Sequence, residues 1–317
     1  MKKFPSIEQF RNIIRQVCTA HDYQGKNEAD EPVYQHLSPY PVIDFVGTVK
    51  IHGTNAGILK YKDRIEFQSR ERVLSLESDN AQFMLNMSGK DLDWMFDGID
   101  FDEYVGIYGE WAGQSIQSGV GVSQLPKMFI IFACNVDGKW VDYDRSKPED
   151  RIFNVNDFWK QQVSIDFNEP EKIQNTLIEL TEAVETECPV AKAFGVSGIG
   201  EGMVWASKDR QYVFKVKGEK HSATKVKTLA SVDVEMIDSM NEFVDNALTE
   251  SRLRQGIDKL VEMGLEVSQK YTGEYLRWIV GDIMKEEADT IVANQFDPKK
   301  MNPIISKKAR EWFFNNF

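Results

Sequence analysis

The chain has 317 residues, 42% of them hydrophobic and 28% charged, and a formal net charge of −12. That length supports one large domain plus a small one, and the composition is that of a soluble globular protein. No run of about 18 apolar residues occurs, which excludes a membrane-spanning helix, and the acidity argues against a surface that binds polyanions indiscriminately.

The opening MKKFPSIEQFRNIIRQV has two lysines but no apolar stretch of signal-peptide length, and reads as a short amphipathic helix. From about residue 40 to 227 the pattern is rich in strands. PVIDFVGTV, AGILKY, RIEFQ, EYVGIYGEW, KMFIIFACNV, GMVWAS and QYVFKVK are β-branched or apolar runs separated by Gly, Asp and Lys-Asp turns. Helices are expected between them at 79–88, 154–162 and 170–187. After about 230 the periodicity becomes helical throughout, over 233–247, 251–263, 272–294 and 306–315, with Thr272 and Ser306 as candidate N-caps. These features predict an α+β domain over residues 1–229 and a small all-α domain over 230–317, with the boundary near 228–232. Cys18, Cys134 and Cys188 are odd in number and widely spaced, with no C-x-x-C pair. That spacing argues for a reducing, cytoplasmic setting and against both a disulfide framework and a structural zinc site.

Five short stretches bear on chemistry. Lys50 in K-I-H-G lies between Val49 and Ile51, and Gly53 lets the backbone turn closely around a bound group. A lysine is nucleophilic only when burial or a neighbouring cation favours its neutral form, so Lys50 by itself reads as a surface residue before a turn. In F-K-V-K-G (214–218), strand alternation places Val213, Lys215 and Lys217 on one face and Tyr212, Phe214 and Val216 on the other. The lysines could grip phosphate oxygens or protect a sheet edge. Glu201 begins the strand E-G-M-V-W and could hold a divalent metal beside phosphates or simply end the strand. Glu110, between glycines in Y-G-E-W-A-G, could accept hydrogen bonds from a ribose. Phe132 lies in K-M-F-I-I-F-A, which reads as a buried strand. Together, a lysine, two carboxylates, an aromatic and a lysine pair are the parts that adenylation requires. No Walker A motif is present, which disfavours P-loop phosphoryl transfer. No Ser/His/Asp or Cys/His arrangement stands out among four histidines.

In this order the five stretches resemble motifs I, III, IIIa, IV and V of the covalent nucleotidyltransferases, the superfamily of ATP-dependent ligases and capping enzymes. The longer K-I-H-G-T-N is similar to motif I of the phage T4 RNA ligase 2 family, which includes kinetoplastid RNA-editing ligases. The resemblance covers residues about 40–227. It implies an ATP-grasp-like nucleotidyltransferase domain of antiparallel sheets with flanking helices. It also implies an ATP-dependent RNA ligase using Mg²⁺, with Mn²⁺ as a substitute. Lys50 would form lysyl-AMP, His52 would assist transfer, and Asn55 would orient groups near the phosphates. Arg70 looks like the motif Ia arginine, with Arg72 as the competing assignment. Glu110 would contact the ribose, Phe132 would stack on adenine, Glu201 would serve metal and nucleotide, and Lys215 and Lys217 would grip the α-phosphate.

Two departures stand out. The phage enzyme has an arginine where this chain has Thr48, and an aspartate where it has Ala133. The implied partner is RNA with 3′-hydroxyl and 5′-phosphate ends, at a nick in a duplex, bound by a monomer acting in a cytoplasm. Residues 207–227 hold seven Lys or Arg against Asp209 and Glu219, an excess of five positive charges. From this segment Lys220, Lys225 and Lys227, with Lys307, Lys308 and Arg310 of the tail, are candidate RNA contacts. A DNA ligase or capping enzyme would continue into an OB-fold barrel, which the helical tail disfavours. A tRNA-repair single-strand RNA ligase and a catalytically silent nucleic-acid-binding module of the same fold remain as alternatives.

Overall fold

The computed structural model describes residues 1–218 and 240–317. The expected domain boundary at 228–232 and Lys220, Lys225 and Lys227 lie outside the described residues. A two-residue strand β1 (Glu8–Gln9) leads into helix α1 (Phe10–Asp22). Phe10, Ile13, Ile14 and Val17 are buried along one face of α1, the spacing that made the segment read as amphipathic. A hairpin follows, β2 (Tyr23–Lys26) and β3 (Pro32–Tyr34). Then come β4 (Val42–Val49), β5 (Thr54–Lys60), β6 (Ile65–Ser69), a short α2 (Phe83–Met87), β7 (Val105–Ala112) and β8 (Met128–Val136). The middle of the chain adds β9 (Lys139–Val141), β10 (Ile152–Asn154), β11 (Lys160–Asp166), α3 (Gln174–Thr186) and α4 (Pro189–Ala193). β12 (Gly202–Ser207) and β13 (Val213–Lys217) complete this part.

Two sheets carry the architecture. One runs in the order β1-β13-β12-β4-β11, the other β10-β8-β7-β5-β6 with β9 on β8. Pairing is antiparallel except for β1 on β13 and β10 on β8. α1 and α3 cover the first sheet, where Phe10 meets Phe214 with ring centroids 4.9 Å apart. Phe214 and Val216 are buried while Lys215 and Lys217 face out, as strand alternation requires.

The segment 154–162, expected to be helical, is a single tight turn followed by β11, seven residues antiparallel to β4. Its sequence KQQVSID is too polar to announce a strand, and its edge position explains that polarity. The expected helix 79–88 contracts to the five residues of α2. The hairpin β2–β3 and strands β9 and β10 were not foreseen.

The helical tail comprises α5 (Met240–Ala247), α6 (Glu250–Glu262), α7 (Thr272–Glu286), α8 (Ala288–Ala293) and α9 (Pro298–Asn316). It has its own apolar core, including Phe243, Ile279, Ile283 and Ile305, in which Tyr275 stacks on Phe313 at 4.6 Å. Thr249 caps α6 by accepting from the Arg252 N–H, and Asp297 caps α9, with Pro298 in the first turn. Thus α9 begins before the expected Ser306. Thr272 is the first residue of α7 rather than its cap; its hydroxyl donates to the Gln269 carbonyl. The expected 272–294 helix breaks at Glu287, which is fully buried between two arginines. Arg252 Nη2 lies 3.1 Å from Glu287 Oε1 and Arg11 Nη2 lies 3.1 Å from Glu287 Oε2. Arg11 comes from α1, so this buried cluster fastens the tail to the first sheet. Among the described residues no helix is long and apolar enough to cross a membrane.

Candidate active site

β4 ends at Val49, and the Lys50 N–H donates to the Gly202 carbonyl at 2.8 Å. That bond sets the lysine beside the start of β12, where Glu201 waits. Gly202 has φ +146°, and a Cβ there would lie 2.2 Å from the Val216 carbonyl oxygen, so only glycine permits this turn. Gly53 is equally constrained, since its Cβ would meet the Trp111 carbonyl oxygen at 2.4 Å. The close neighbour that Gly53 accommodates is therefore the β7 backbone, not a bound group.

Lys50 Nζ lies 2.7 Å from Glu201 Oε2, and His52 Nδ1 is 3.1 Å from the same oxygen. Lys217 Nζ approaches the other oxygen, Oε1, at 2.9 Å. One carboxylate, only 4% exposed, thus gathers three of the sequence-derived residues. Burial pushes the Glu201 carboxyl upward, but Lys217, Lys50 and the His52 hydrogen bond together outweigh it and hold it well below the usual range.

The second sheet forms the opposite wall. β7 and β8 are largely buried, yet Glu110 and Phe132 remain partly open, and both line a cleft of about 1280 Å³ shared with Lys50, Glu201, Lys215 and Lys217. Glu110 pairs in register with Asn55 of β5. Asn55 is buried at the cleft, and its Oδ1 has no hydrogen-bond partner. A buried carbonyl in that condition is costly unless something donates to it. Burial pushes the Glu110 carboxyl up to about 8; Lys50 pulls it down and Glu201 raises it further. Phe132 packs edge-on against Phe4, with centroids 4.9 Å apart, so the N-terminal segment also contributes to the cleft.

Arg70 lines the cleft, and its charge reaches Glu110. Arg72 turns away, donating to the Asp79 carbonyl at 3.0 Å and packing near Gly264. Of the two arginines, only Arg70 lines the cleft. Thr48 lies in one register line with Val204 and Lys215 across β4, β12 and β13, facing the cleft with Lys160 of β11 opposite it. Ala133 is buried beside Phe4 and Tyr108. Lys307, Lys308 and Arg310 do not line the cleft, and Lys308 is paired with Asp245.

The sequence reading missed the roof. Asp258 and Glu262 of α6 and Asp282 and Glu286 of α7 line the same cleft. Glu286 Oε1 lies 3.5 Å from Lys215 Nζ, while its other oxygen accepts from Gln9. Burial lowers the Lys215 ammonium, and Glu286 partly restores it. Lys259 of α6 and Lys3 both bind Glu71 in the turn after β6. No spacing in the sequence could reveal these partners, because they join residues 68 to 277 positions apart.

A statistical model of the RNA ligase family matches residues 43–217, more than half of the chain and every residue of the Glu201 cluster. The chain belongs to the RNA ligase family. No sequence among the curated proteins compared matches it. Among solved structures it is similar to Naegleria gruberi RNA ligase. A mutant of that protein with AMP and Mn matches at 15% identity and a TM-score of 0.45, over 69% of this chain and 56% of that one. The same ligase with PPi matches at 16% identity and 0.44, over 69% and 56%. This RNA ligase family member spans just over half the length of the solved chains it resembles.

Proposed function

We propose that this chain is an ATP-dependent RNA ligase that joins 3′-hydroxyl and 5′-phosphate RNA ends through a lysyl-AMP intermediate at Lys50. The observation that carries this reading is the single carboxylate of Glu201, which holds Lys50, Lys217 and His52 at one point of the cleft. The lone pair of Lys50 Nζ, once a proton has left it, forms a P–N bond to the α-phosphorus of ATP as the bond to pyrophosphate breaks. Lys217 and Lys215 neutralise charge on the phosphoryl oxygens. Phe132 offers a face for the adenine, and Asn55 Oδ1 and Glu110 offer hydrogen-bond acceptors for the ribose hydroxyls. An RNA 5′-phosphate oxygen next takes AMP from Lys50. The 3′-hydroxyl oxygen then attacks that 5′-phosphorus, forming the phosphodiester and releasing AMP.

Glu110 and Glu201 are hard oxygen donors on facing walls, and the anion of Glu110 is destabilised until a cation joins it, so the residues fit Mg²⁺ or Mn²⁺. A bound ion of this kind would supply charge neutralisation at the phosphates.

Nicked duplex RNA is the expected substrate, with RNA binding resting on phosphate contacts and weakening with salt. The test compares sealing of nicked duplex RNA, nicked DNA–RNA hybrids and free single strands. Preferential sealing of the RNA nick supports the reading. Equal or better joining of single strands would assign the chain to the tRNA-repair type instead.

A further inference from the structure

We propose that His21, Asp22 and His36 form a binding site for a divalent transition-metal ion of the zinc class, separate from the nucleotide cleft. None of the three lines that cleft. His21 and Asp22 are the last two residues of α1, and the β2–β3 hairpin brings the chain back so that His36 faces them. The Gln35 N–H donates to the Asp22 carbonyl at 2.8 Å and pins that return.

Both imidazoles aim the same nitrogen at one carboxylate oxygen. His21 Nδ1 lies 3.2 Å and His36 Nδ1 3.0 Å from Asp22 Oδ1. All three potential ligand atoms fall within 4.8 Å of one another. Donors about 2.0–2.2 Å from a tetrahedral ion stand roughly 3.3 Å apart, so the contacts already have the spacing of a coordination edge. The outer contacts agree. Ser38 Oγ lies 3.1 Å from His21 Nε2, leaving Nδ1 as the ligating nitrogen, and the Tyr40 hydroxyl donates to Asp22 Oδ2 at 3.1 Å. A ligating histidine characteristically gives its other N–H to an oxygen acceptor, and a ligating carboxylate is itself hydrogen-bonded. Tyr40 also sits against both rings, 4.4 Å from His36 and 5.2 Å from His21, fixing their orientation before any ion arrives.

Two imidazoles and one carboxylate select Zn²⁺, Co²⁺, Ni²⁺ or Cu²⁺ over Mg²⁺ and Ca²⁺, which prefer oxygen alone. His36 is half exposed, so solvent can complete the coordination. A site of this kind departs from the expectation, drawn from the cysteine spacing, of no structural zinc site, because its ligands are imidazoles and a carboxylate. The ion would tie the end of α1 to the hairpin and to the chain entering β4, bracing the helix whose Phe10 supports β13.

The test titrates untagged, chelator-treated full-length protein with Co²⁺ and Zn²⁺ in millimolar Mg²⁺, following the visible absorption of bound Co²⁺ and Zn²⁺ competition with a chromophoric chelator. One tight equivalent is expected. Ser38→Ala should weaken it roughly 10-fold, and His36→Ala and Asp22→Asn by more than the roughly 100-fold ceiling of an outer-contact loss. Circular dichroism confirms that each variant is folded, and His36 in an exposed turn is the change best tolerated. Absence of tight binding in the wild type, or unchanged affinity in folded His36→Ala, would overturn the proposal.

Discussion

Replacing Glu110 by Gln should stabilise the fold while impairing nucleotide binding, and the stabilisation should depend on pH. Burial moves this carboxyl from its ordinary 4.5 to about 8. Between those values the unfolded chain releases a proton that the folded chain keeps. The unfolded state therefore binds fewer protons, and stability falls as pH rises. At pH 7 the gap is two and a half pH units above 4.5, and at about 1.4 kcal/mol per unit the cost reaches about 3 kcal/mol. At pH 5 the same arithmetic leaves below 1 kcal/mol. Glutamine keeps the shape and never ionises, so Glu110→Gln should gain little at pH 5 and up to about 3 kcal/mol at pH 7. Urea unfolding of both proteins at pH 5, 6, 7 and 8 measures the difference directly. A difference that does not grow with pH, or a less stable variant at pH 7, would refute the assignment of Glu110 as a destabilised carboxyl in the cleft.

If Lys215 grips the α-phosphate as proposed, Glu286→Gln should lower the ATP concentration needed for half-maximal self-adenylation by removing the carboxylate that pairs with Lys215; an unchanged concentration dependence would contradict that role. Glu287→Ala leaves Arg11 and Arg252 buried without their shared partner and should cost about 3–5 kcal/mol in denaturant unfolding. Glu71 is driven upward by burial but held at about 2 by hydrogen bonds and charge from Lys259 and Lys3. Its folded value is depressed, so its contribution is present above pH 4.5 and lost as pH falls towards 2. With the side chain about a quarter exposed, solvent screening leaves roughly 1–2 kcal/mol, and Glu71→Gln should flatten the acid limb of the stability curve by that amount.

The lysine pair of β13 was legible because a half-buried strand alternates, and Phe214 and Val216 left Lys215 and Lys217 only one face to occupy. Glu201 and Lys50 were legible as residue types in order, though not as an ion pair. Phe132 was not legible from its own pattern. In a run as apolar as MFIIFA every position reads as core, and its opening to the cleft depends on the facing sheet. β11 was hidden by its polarity, and the break after α7 by Glu287, which gives no local signal that it will be buried between two arginines. The acidic roof was invisible for a different reason. Asp258 and Glu286 lie on ordinary amphipathic helices, and only tertiary docking turns one face of each towards Lys215 and His52.

The most direct test of the central claim is covalent labelling. Protein incubated with ATP labelled at the α-phosphate, in the presence of Mg²⁺, should acquire a label that survives denaturation, and folded Lys50→Ala should acquire none. Persistent labelling of Lys50→Ala, or no labelling of the wild type, would contradict Lys50 as the nucleophile.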